Sequence, residues 1–274
     1  MKVSLVQTQS GDDKTANLAH AEHLVRAAIA QDGPDLVALP EVFTYLGGTV
    51  EGAQASAEAM PGGPAYMMLQ AIAQEHGVWV HGGSLNERDG ERLYNTSVVF
   101  DRSGREVARY RKIHMFDVVT PDGEVFRESA TYSPGSDIVT FDMEGVTVGC
   151  AICYDLRFAE LFLTLARRGA QVIILPAAFT LMTGKDHWEV LLRARAIETQ
   201  AYLIAPNQFG AYVEEGAQRM NYGNTLVVDP WGAVIARAQD GVGWTSARLD
   251  LDYLAKVRAD LPSNRNRVLS GADL

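Results

Sequence analysis

The stretch VTVGCAICYDLRFAELFLTLARRGAQVIILP (residues 146–176) decides the fold class of this chain. The β-branched run at 146–152 predicts a buried strand, and the apolar spacing at 158–169 predicts a helix. Residues 171–176 predict a second buried strand. A succession of strand, helix and strand is typical of layered α/β domains.

The same alternation continues along the chain in both directions from this stretch. Two predicted hairpins, at 94–111 and 225–237, make the expected sheets mixed. No break in composition, internal repeat or low-complexity tract divides the sequence, so we expect a single α/β domain over residues 1–274. Further strands are predicted at 2–8, 35–40, 78–82 and 202–206, and helices at 17–31, 64–77 and 187–202.

Composition and charge exclude several classes of protein. The chain has 274 residues, of which 47% are hydrophobic and 21% charged, as in a globular enzyme. No apolar run approaches the roughly 20 residues of a membrane span, and the start, MKVSLVQTQSGDD, becomes polar too early for a signal peptide. The net charge of −10 argues against nucleic acid or an anionic membrane as partner. With only two cysteines, we expect free thiols and a cytoplasmic location.

The two cysteines, Cys150 and Cys153, have the C-x-x-C spacing of redox pairs and of halves of zinc sites. A redox pair normally opens a helix, whereas Cys150 lies within the predicted strand and Cys153 at its end. Side chains alternate along a strand, so an offset of three directs these two to opposite faces. No second C-x-x-C or H-x-x-x-H completes a zinc site. We therefore interpret Cys150 as a core residue and Cys153 as a candidate nucleophile.

Charged residues at the ends of apolar strands are a second unusual feature. Glu41 follows the run DLVALP, and Lys112 follows VARYR. A charge directly after a buried strand risks desolvation, although a strand that simply emerges into solvent explains many single cases. With Cys153, three strand ends carry a carboxylate, an ammonium and a thiol, and strand ends are where α/β folds gather their sites. Neither His114 nor His187 has the flanking pattern of a cysteine protease.

Three segments resemble the signature segments of the nitrilase, or carbon–nitrogen hydrolase, superfamily. They are LPEVF around Glu41, YRKIHMFD around Lys112 and GCAICYDLRFAEL around Cys153. The similarity continues through PAAF (176–179), DHWEVLLRARAIETQ (186–200) and YGNTLVVDPWGAVIA (222–236), and so covers nearly the whole chain. The later segments are most similar to the branch that contains omega-amidase and deaminated glutathione amidase. The resemblance implies a four-layer α-β-β-α sandwich, no metal or organic cofactor, and a homodimer or larger homo-oligomer.

The resemblance also implies roles for the residues at the strand ends. By analogy, Cys153 attacks an amide carbonyl, and Glu41 takes the thiol proton and passes it to the leaving ammonia. Lys112 and the backbone N–H of Tyr154 hold the tetrahedral oxyanion. Water activated by Glu41 then hydrolyses the thioester.

Further residues near these segments are candidates for the site. The family often has a second glutamate between the lysine and the cysteine, and Glu128 in FRESATYSPG stands at the matching place, with Glu124 close by. Arg157, four residues after the nucleophile, can pair bidentately with a substrate carboxylate, or can form a structural ion pair with Asp155 or a glutamate. The residues that adjoin the motifs and either line a pocket or pack in the core are Phe43, Tyr154, Phe179 and Thr180.

The expected function is hydrolysis of a small linear ω-amide that bears a carboxylate, such as an α-keto amide or deaminated glutathione. An N-carbamoyl amidohydrolase or a nitrilase is the close alternative, because these enzymes share the triad and differ in the pocket. A non-catalytic binding protein on the same fold is a more distant alternative, and the intact set of Glu41, Lys112 and Cys153 counts against it. The segment FGAYVEEGAQRMNYG (209–223) either shapes specificity or is a surface excursion.

Overall fold

In the computed structural model, which describes residues 1–120 and 123–269, short strands and helices alternate through most of the chain. The strands are β1 (Lys2–Gln7), β2 (Leu36–Ala38), β3 (Trp79–His81), β4 (Leu85–Asp89), β5 (Arg92–Phe100), β6 (Glu106–Arg111), β7 (Asp117–Val119), β8 (Val125–Arg127), β9 (Thr140–Met143), β10 (Val146–Cys150), β11 (Val172–Ile174), β12 (Tyr202–Ala205), β13 (Phe209–Glu214), β14 (Ala217–Tyr222), β15 (Leu226–Val228), β16 (Val234–Arg237) and β17 (Gly243–Arg248). The helices are α1 (Lys14–Asp32), α2 (Val50–Ser56), α3 (Pro64–His76), α4 (Ala159–Arg167), α5 (Leu181–Thr183), α6 (Glu189–Thr199) and α7 (Leu251–Asp260). Short 3₁₀ helices lie at Glu128–Ala130 and Cys153–Arg157.

Most of these strands belong to two large mixed sheets. The first sheet has the order β17-β1-β2-β3-β5-β4, with β6 paired to β5, and the second has the order β16-β15-β12-β11-β10-β9. Strands β1, β2 and β3 are parallel to one another, as are β10, β11 and β12. The pairs β7–β8 and β13–β14 form separate hairpins. The prediction of mixed sheets is confirmed.

The alternation of side chains along the strands builds two hydrophobic layers. In β1, Val3 and Leu5 face the second sheet, whereas Val6 packs with residues of α1 and α3 on the opposite face. Helices α4 and α6 cover the far side of the second sheet, where Phe162 and Leu192 are fully buried. The order of layers is therefore helices, sheet, sheet, helices, which confirms the predicted four-layer α-β-β-α sandwich.

Several element boundaries differ from the sequence prediction for local reasons. Helix α1 begins before the predicted residue 17 because the Asp13 side chain caps it by accepting from the N–H of Ala16. The predicted C-terminal cap at Gly77 is confirmed, with φ of 61°. Strand β4 was not predicted because its sequence is polar, and its buried Glu87 is paired with Arg111 at 2.7 Å. No helix among the described residues has the length and apolar character needed to cross a bilayer.

His81, at the end of β3, makes the fold sensitive to acid. Its ring is fully buried, and neither ring nitrogen has a hydrogen-bond partner among the described residues. Burial lowers the pKa of His81 from 6.5 to about 3. The unfolded chain therefore takes up a proton below about pH 6.5, whereas the folded chain does so only near pH 3. Stability is fully present above pH 6.5 and is lost as the pH falls through this window.

We expect His81→Leu to remove this acid sensitivity. In the natural chain, the folded state should lose roughly 3 kcal/mol of stability when the pH falls from 7 to 4.5, because only the unfolded state can protonate this ring. Each pH unit below the unfolded pKa is worth about 1.4 kcal/mol. Urea unfolding at both pH values measures the difference between the variant and the natural chain. The exposed His20 supplies a control, because His20→Leu should keep the natural pH dependence. An equal fall in stability in the His81→Leu protein would contradict this explanation.

Candidate active site

The three strand ends identified in the sequence meet at one cavity. Glu41 follows β2, Lys112 follows β6 and Cys153 follows β10. All three line a cavity of about 370 Å³, together with Glu128. This volume is typical of a site for a small molecule.

Lys112 is held between two carboxylates. Its Nζ lies 3.0 Å from Oε1 of Glu41 and 2.8 Å from Oε2 of Glu128. Burial by itself would lower the pKa of Lys112, but the charges of Glu128 and Glu41 hold it well above its ordinary value. The ammonium therefore stays charged. Glu124, the neighbouring glutamate in the sequence, lies instead 3.9 Å from Arg219.

Cys153 occupies a sharp turn at the end of β10. Its φ of 44° is in the left-handed region, which is unusual for a residue with a side chain. Its N–H donates to the carbonyl of Pro176, which fixes the turn against the end of β11. Burial raises the pKa of the Cys153 thiol, Glu41 raises it further, and Lys112 opposes the shift only in part. The resting thiol is therefore protonated and needs a base.

Glu41 is oriented to act as that base. Its Oε1 accepts from Nζ of Lys112 and, at 2.8 Å, from Nδ2 of Asn95. Its Oε2 accepts from the N–H of Ala178 at 2.8 Å. The same carboxylate is close enough to the Cys153 thiol to raise the pKa of that thiol. Hydrogen-bond donors therefore surround both oxygens of Glu41, which is the pattern around an ionised carboxylate.

Asp155 links the segment of the lysine to the turn of the nucleophile. Its carboxylate is fully buried and accepts from the hydroxyl of Tyr110 at 2.6 Å and from the N–H of Ile152 at 2.8 Å. It also accepts from the backbone N–H of His114 at 3.1 Å, and its Oδ1 lies 2.7 Å from Nδ1 of that ring. Tyr110 and His114 stand two residues to either side of Lys112, and Ile152 directly precedes the nucleophile. The sequence indicates only an ion pair with Arg157 for Asp155, and its place between these two segments is seen only in the structure.

We expect Asp155→Ala to lower both stability and turnover. Three neighbouring residues would lose a buried acceptor, which costs about 3 kcal/mol or more in total. A displacement of about 1 Å between the two segments is enough to reduce turnover about 10²-fold. Urea unfolding and steady-state kinetics measure the two effects. Asp137→Ala, at an exposed position outside the helices and strands, is the control and should change neither. An Asp155→Ala protein with natural stability would show that the linkage is unimportant.

Cys150 lies in the core, as its position in the strand predicted. The residue is 1% exposed, and burial raises the pKa of its thiol to about 12. Both cysteines are free thiols. The pair therefore does not form a disulfide in this structure.

The structure separates the residues that were candidates for substrate binding. Tyr154, Phe179 and Thr180 line the cavity. Phe43 is fully buried in the hydrophobic layer between the first sheet and its helices, and it is not among the described residues that line the cavity. Phe43 therefore packs in the core and does not make the predicted contact with substrate.

Arg157 has surroundings that the sequence did not predict. Its Nη1 lies 3.2 Å from Nδ1 of His187, and its guanidinium is 5.2 Å from the ring centre of Phe179. Asp155 is already occupied by other donors, so the ion pair suggested for these two residues is replaced by the contact with His187. The arginine lies over the ring of Phe179, a residue of the cavity wall, and is not itself among the described lining residues.

Two hairpins outside the large sheets form the roof of the cavity. Hairpin β7–β8 contributes Phe126, and hairpin β13–β14 contributes Tyr212 and Arg219. The guanidinium of Arg219 stacks 3.9 Å from the ring centre of Phe126, so the two hairpins touch. The segment 209–223 is therefore part of the cavity wall and not a surface excursion. These residues were missed because aromatic and charged side chains in a short polar hairpin give no periodic signal.

Comparison with known proteins defines the class to which this fold and site belong. Residues 2–259 match the family model for carbon-nitrogen hydrolase. The chain belongs to the carbon–nitrogen hydrolase family and is an enzyme of that class, as the sequence resemblance implied. It is 41% identical over 266 residues to omega-amidase NIT2-A of Xenopus laevis, an alignment that covers 97% of this chain and 94% of that protein.

Two further relatives show which branch of the family this chain resembles. The deaminated glutathione amidase of Synechocystis sp. (strain PCC 6803 / GT-S) is 41% identical over 270 residues, with 96% of each chain covered. The crystal structure of Saccharomyces cerevisiae Nit3, a member of branch 10 of the nitrilase superfamily, superposes with a TM-score of 0.87. That chain is 32% identical, and the superposition covers 98% of this chain and 97% of Nit3. The predicted similarity to the omega-amidase and deaminated glutathione amidase branch is confirmed.

Proposed function

We propose that this enzyme hydrolyses a small linear ω-amide that bears a carboxylate, through a thioester on Cys153, and releases ammonia. The observation that carries the proposal is a buried carboxylate, Glu41, that contacts the ammonium of Lys112, lines the same cavity as Cys153 and raises the pKa of the Cys153 thiol. Similarity to an omega-amidase and a deaminated glutathione amidase supports an α-keto amide or deaminated glutathione as the substrate.

The first step forms the thioester. Glu41 removes the proton of the Cys153 thiol as the sulfur attacks the amide carbonyl, because the buried thiol is protonated at neutral pH. The tetrahedral oxyanion receives the charge of Lys112 and the N–H of Tyr154. That N–H lies in the first turn of the 3₁₀ helix, where backbone donors have no intrahelical acceptor. When the C–N bond breaks, Glu41 returns the proton to the nitrogen, and ammonia leaves.

The second step releases the acid. Glu41, again a carboxylate, takes a proton from water as the water attacks the thioester carbonyl. The same two donors hold the second oxyanion, and the proton returns to the sulfur as the C–S bond breaks. Glu128 keeps Lys112 in place throughout, since both of its oxygens accept from Nζ at 2.8 and 2.9 Å. Its Oε2 also accepts from the N–H of Phe116 at 2.6 Å, which ties the lysine to the base of the β7–β8 hairpin.

A panel of substrates with ammonia release as the readout tests the substrate class. We expect the kcat/KM values for α-ketoglutaramate and succinamate to exceed those for a nitrile and for an N-carbamoyl amino acid. A nitrile or a carbamoyl compound as the best substrate would overturn the proposed class while leaving the nucleophile in place. Absence of turnover with all four compounds would favour the non-catalytic alternative.

Alkylation should distinguish the two cysteines. We expect iodoacetamide to add once to the intact protein, at Cys153, because this thiol lines the cavity beside a base. Cys150 is buried in the core, and its thiol has a pKa of about 12. Intact mass and peptide mapping measure the number and position of adducts. Cys150→Ala should leave the labelling unchanged, whereas label on Cys150 in the folded protein would contradict the assignment.

We propose in addition that the enzyme is a homodimer or larger homo-oligomer. We also propose that residues 1–274 form one domain and that the protein is located in the cytoplasm. Apolar side chains exposed on α6 and on the β15–β16 hairpin support self-association; Val190, Ile197 and Trp231 are each about half exposed or more. Sedimentation analysis tests the first point, and a monomer at micromolar concentration would refute it. Nothing in the charge of the chain favours nucleic acid as a partner.

A further inference from the structure

Asn95, on β5, contacts each of the three charged residues of the site. Its Nδ2 donates to Oε1 of Glu41 at 2.8 Å and to Oε1 of Glu128 at 3.3 Å. Its backbone carbonyl accepts from the N–H of Lys112 at 2.9 Å. The residue is 2% exposed and lines the same cavity.

The orientation of this amide follows from the chemistry of its neighbours. A carboxylate only accepts hydrogen bonds, so the NH₂ group of Asn95 must face both glutamates. Its Oδ1 is buried and has no hydrogen-bond partner among the described residues. A buried acceptor without a partner destabilises the fold, and such exceptions concentrate at functional sites. The position of Asn95 is therefore better explained by the two carboxylates than by the packing of β5.

The charges in the cluster explain why an amide is useful at this position. Glu41 and Glu128 together carry two negative charges, and Lys112 supplies one positive charge. The Cys153 thiol is neutral at rest, and Tyr132 is neutral because burial, Glu128 and Glu41 raise the pKa of its hydroxyl. Glu214 is a further acidic group that raises the pKa of Tyr132, and it cannot balance the negative charge of Glu41 and Glu128. The Asn95 NH₂ group is then the neutral side-chain donor shared by the two carboxylates.

We propose that Asn95 is a positioning residue that keeps Glu41 ionised and separate from Glu128, so that Glu41 enters the reaction as a base. This inference rests on the proposed function. Without the amide, a proton competes better for the two carboxylates, because the ionised forms have lost a donor. The enzyme then needs a higher pH to present Glu41 as a carboxylate.

The test compares Asn95→Leu with Asn86→Leu in the full-length protein. Asn86 is the directly opposed residue on β4, is 1% exposed, and donates to Oγ of Ser56 and to a backbone carbonyl. Both variants lose a buried amide of the same size, but only Asn95 donates to carboxylates. The rate of alkylation at Cys153 by iodoacetamide and kcat/KM for an ω-amide are measured between pH 4 and pH 9.

We expect Asn95→Leu to move the acid limb of both profiles to higher pH by about one unit or more, the equivalent of one hydrogen bond to a charged group. The limb should stay in place in Asn86→Leu, even if that protein is less stable. An unmoved limb in Asn95→Leu, or an equal shift in Asn86→Leu, would overturn the proposal. If Asn95→Leu does not fold, Asn95→Asp keeps the side-chain volume and should also move the limb to higher pH; an unmoved limb there counts equally against it.

The two readouts separate failure of this inference from failure of the proposed function. Alkylation needs no substrate, so its pH profile reports on Asn95 even if no amide is hydrolysed. A merely structural role would lower the rate equally at all pH values. A positioning role predicts that the rate in Asn95→Leu recovers as the pH is raised.

Discussion

Replacing Cys153 with alanine is expected to reduce kcat for the ω-amide by about 10⁶, to the level of binding and oxyanion stabilisation alone. Glu41 and Lys112 stay in place in this variant, but neither can form the thioester. Ammonia release over hours measures the residual rate. The alanine is close in size to the cysteine, so the variant should unfold at nearly the same urea concentration as the natural enzyme.

The other cysteine is the matched control for this experiment. Cys150→Ala removes a sulfur of the core three residues away and should retain turnover within about threefold, at a cost of roughly 1 kcal/mol of stability. Retained amidase activity in Cys153→Ala, or its loss in Cys150→Ala, would contradict the assignment of the nucleophile.

Lys112→Met is expected to impair both catalysis and folding. The reaction loses an oxyanion donor, which lowers kcat by about 10²–10³. The fold loses the only ammonium within contact of Glu41 and Glu128 among the described residues, so the buried carboxylate of Glu41 and the partly buried carboxylate of Glu128 are left without their shared cation. Breaking a buried ion pair in this way costs about 3–5 kcal/mol. Steady-state kinetics and urea unfolding at pH 7 measure the two losses.

A second substitution separates the two effects of Lys112→Met. Adding Glu128→Gln removes one of the stranded charges, so part of the stability should return while the activity stays low. The same substitution on its own should leave Lys112 paired with Glu41. An unchanged stability of Lys112→Met would show that the contacts of this ammonium contribute little to the fold, and an unchanged kcat would remove it from the mechanism.

The residues at the strand ends could be found in the sequence because their signal is local. Glu41, Lys112 and Cys153 each follow an apolar run directly, so the buried strand and the reactive group are adjacent in the sequence. The expected gathering at one edge then follows from the fold class. All three side chains line one cavity, in which Nζ of Lys112 lies 3.0 Å from Oε1 of Glu41.

Asn95 and Asp155 could not be found in this way because their roles depend on contacts between distant segments. Asn95 lies in the middle of a strand pattern, and its carboxylate partners are 54 and 33 residues away. Asp155 is close to the nucleophile in sequence, yet its partners Tyr110 and His114 come from the end of β6 and the loop after it. Strand β4 was missed for a related reason. The charge of its buried Glu87 is compensated by ion pairs with distant residues, so no apolar pattern marks the strand.

The roof of the cavity has a consequence for how such an enzyme changes its substrate. The reactive groups stand on strand ends that the two large sheets hold in register, whereas the roof comes from two hairpins that belong to neither of these sheets. Substitutions, insertions or whole hairpin exchanges in the roof leave the hydrogen-bond ladders of both sheets intact. Selection can therefore alter which amide enters the cavity while the catalytic residues stay unchanged. Grafting β13–β14 from one relative onto another is a direct route to new specificity.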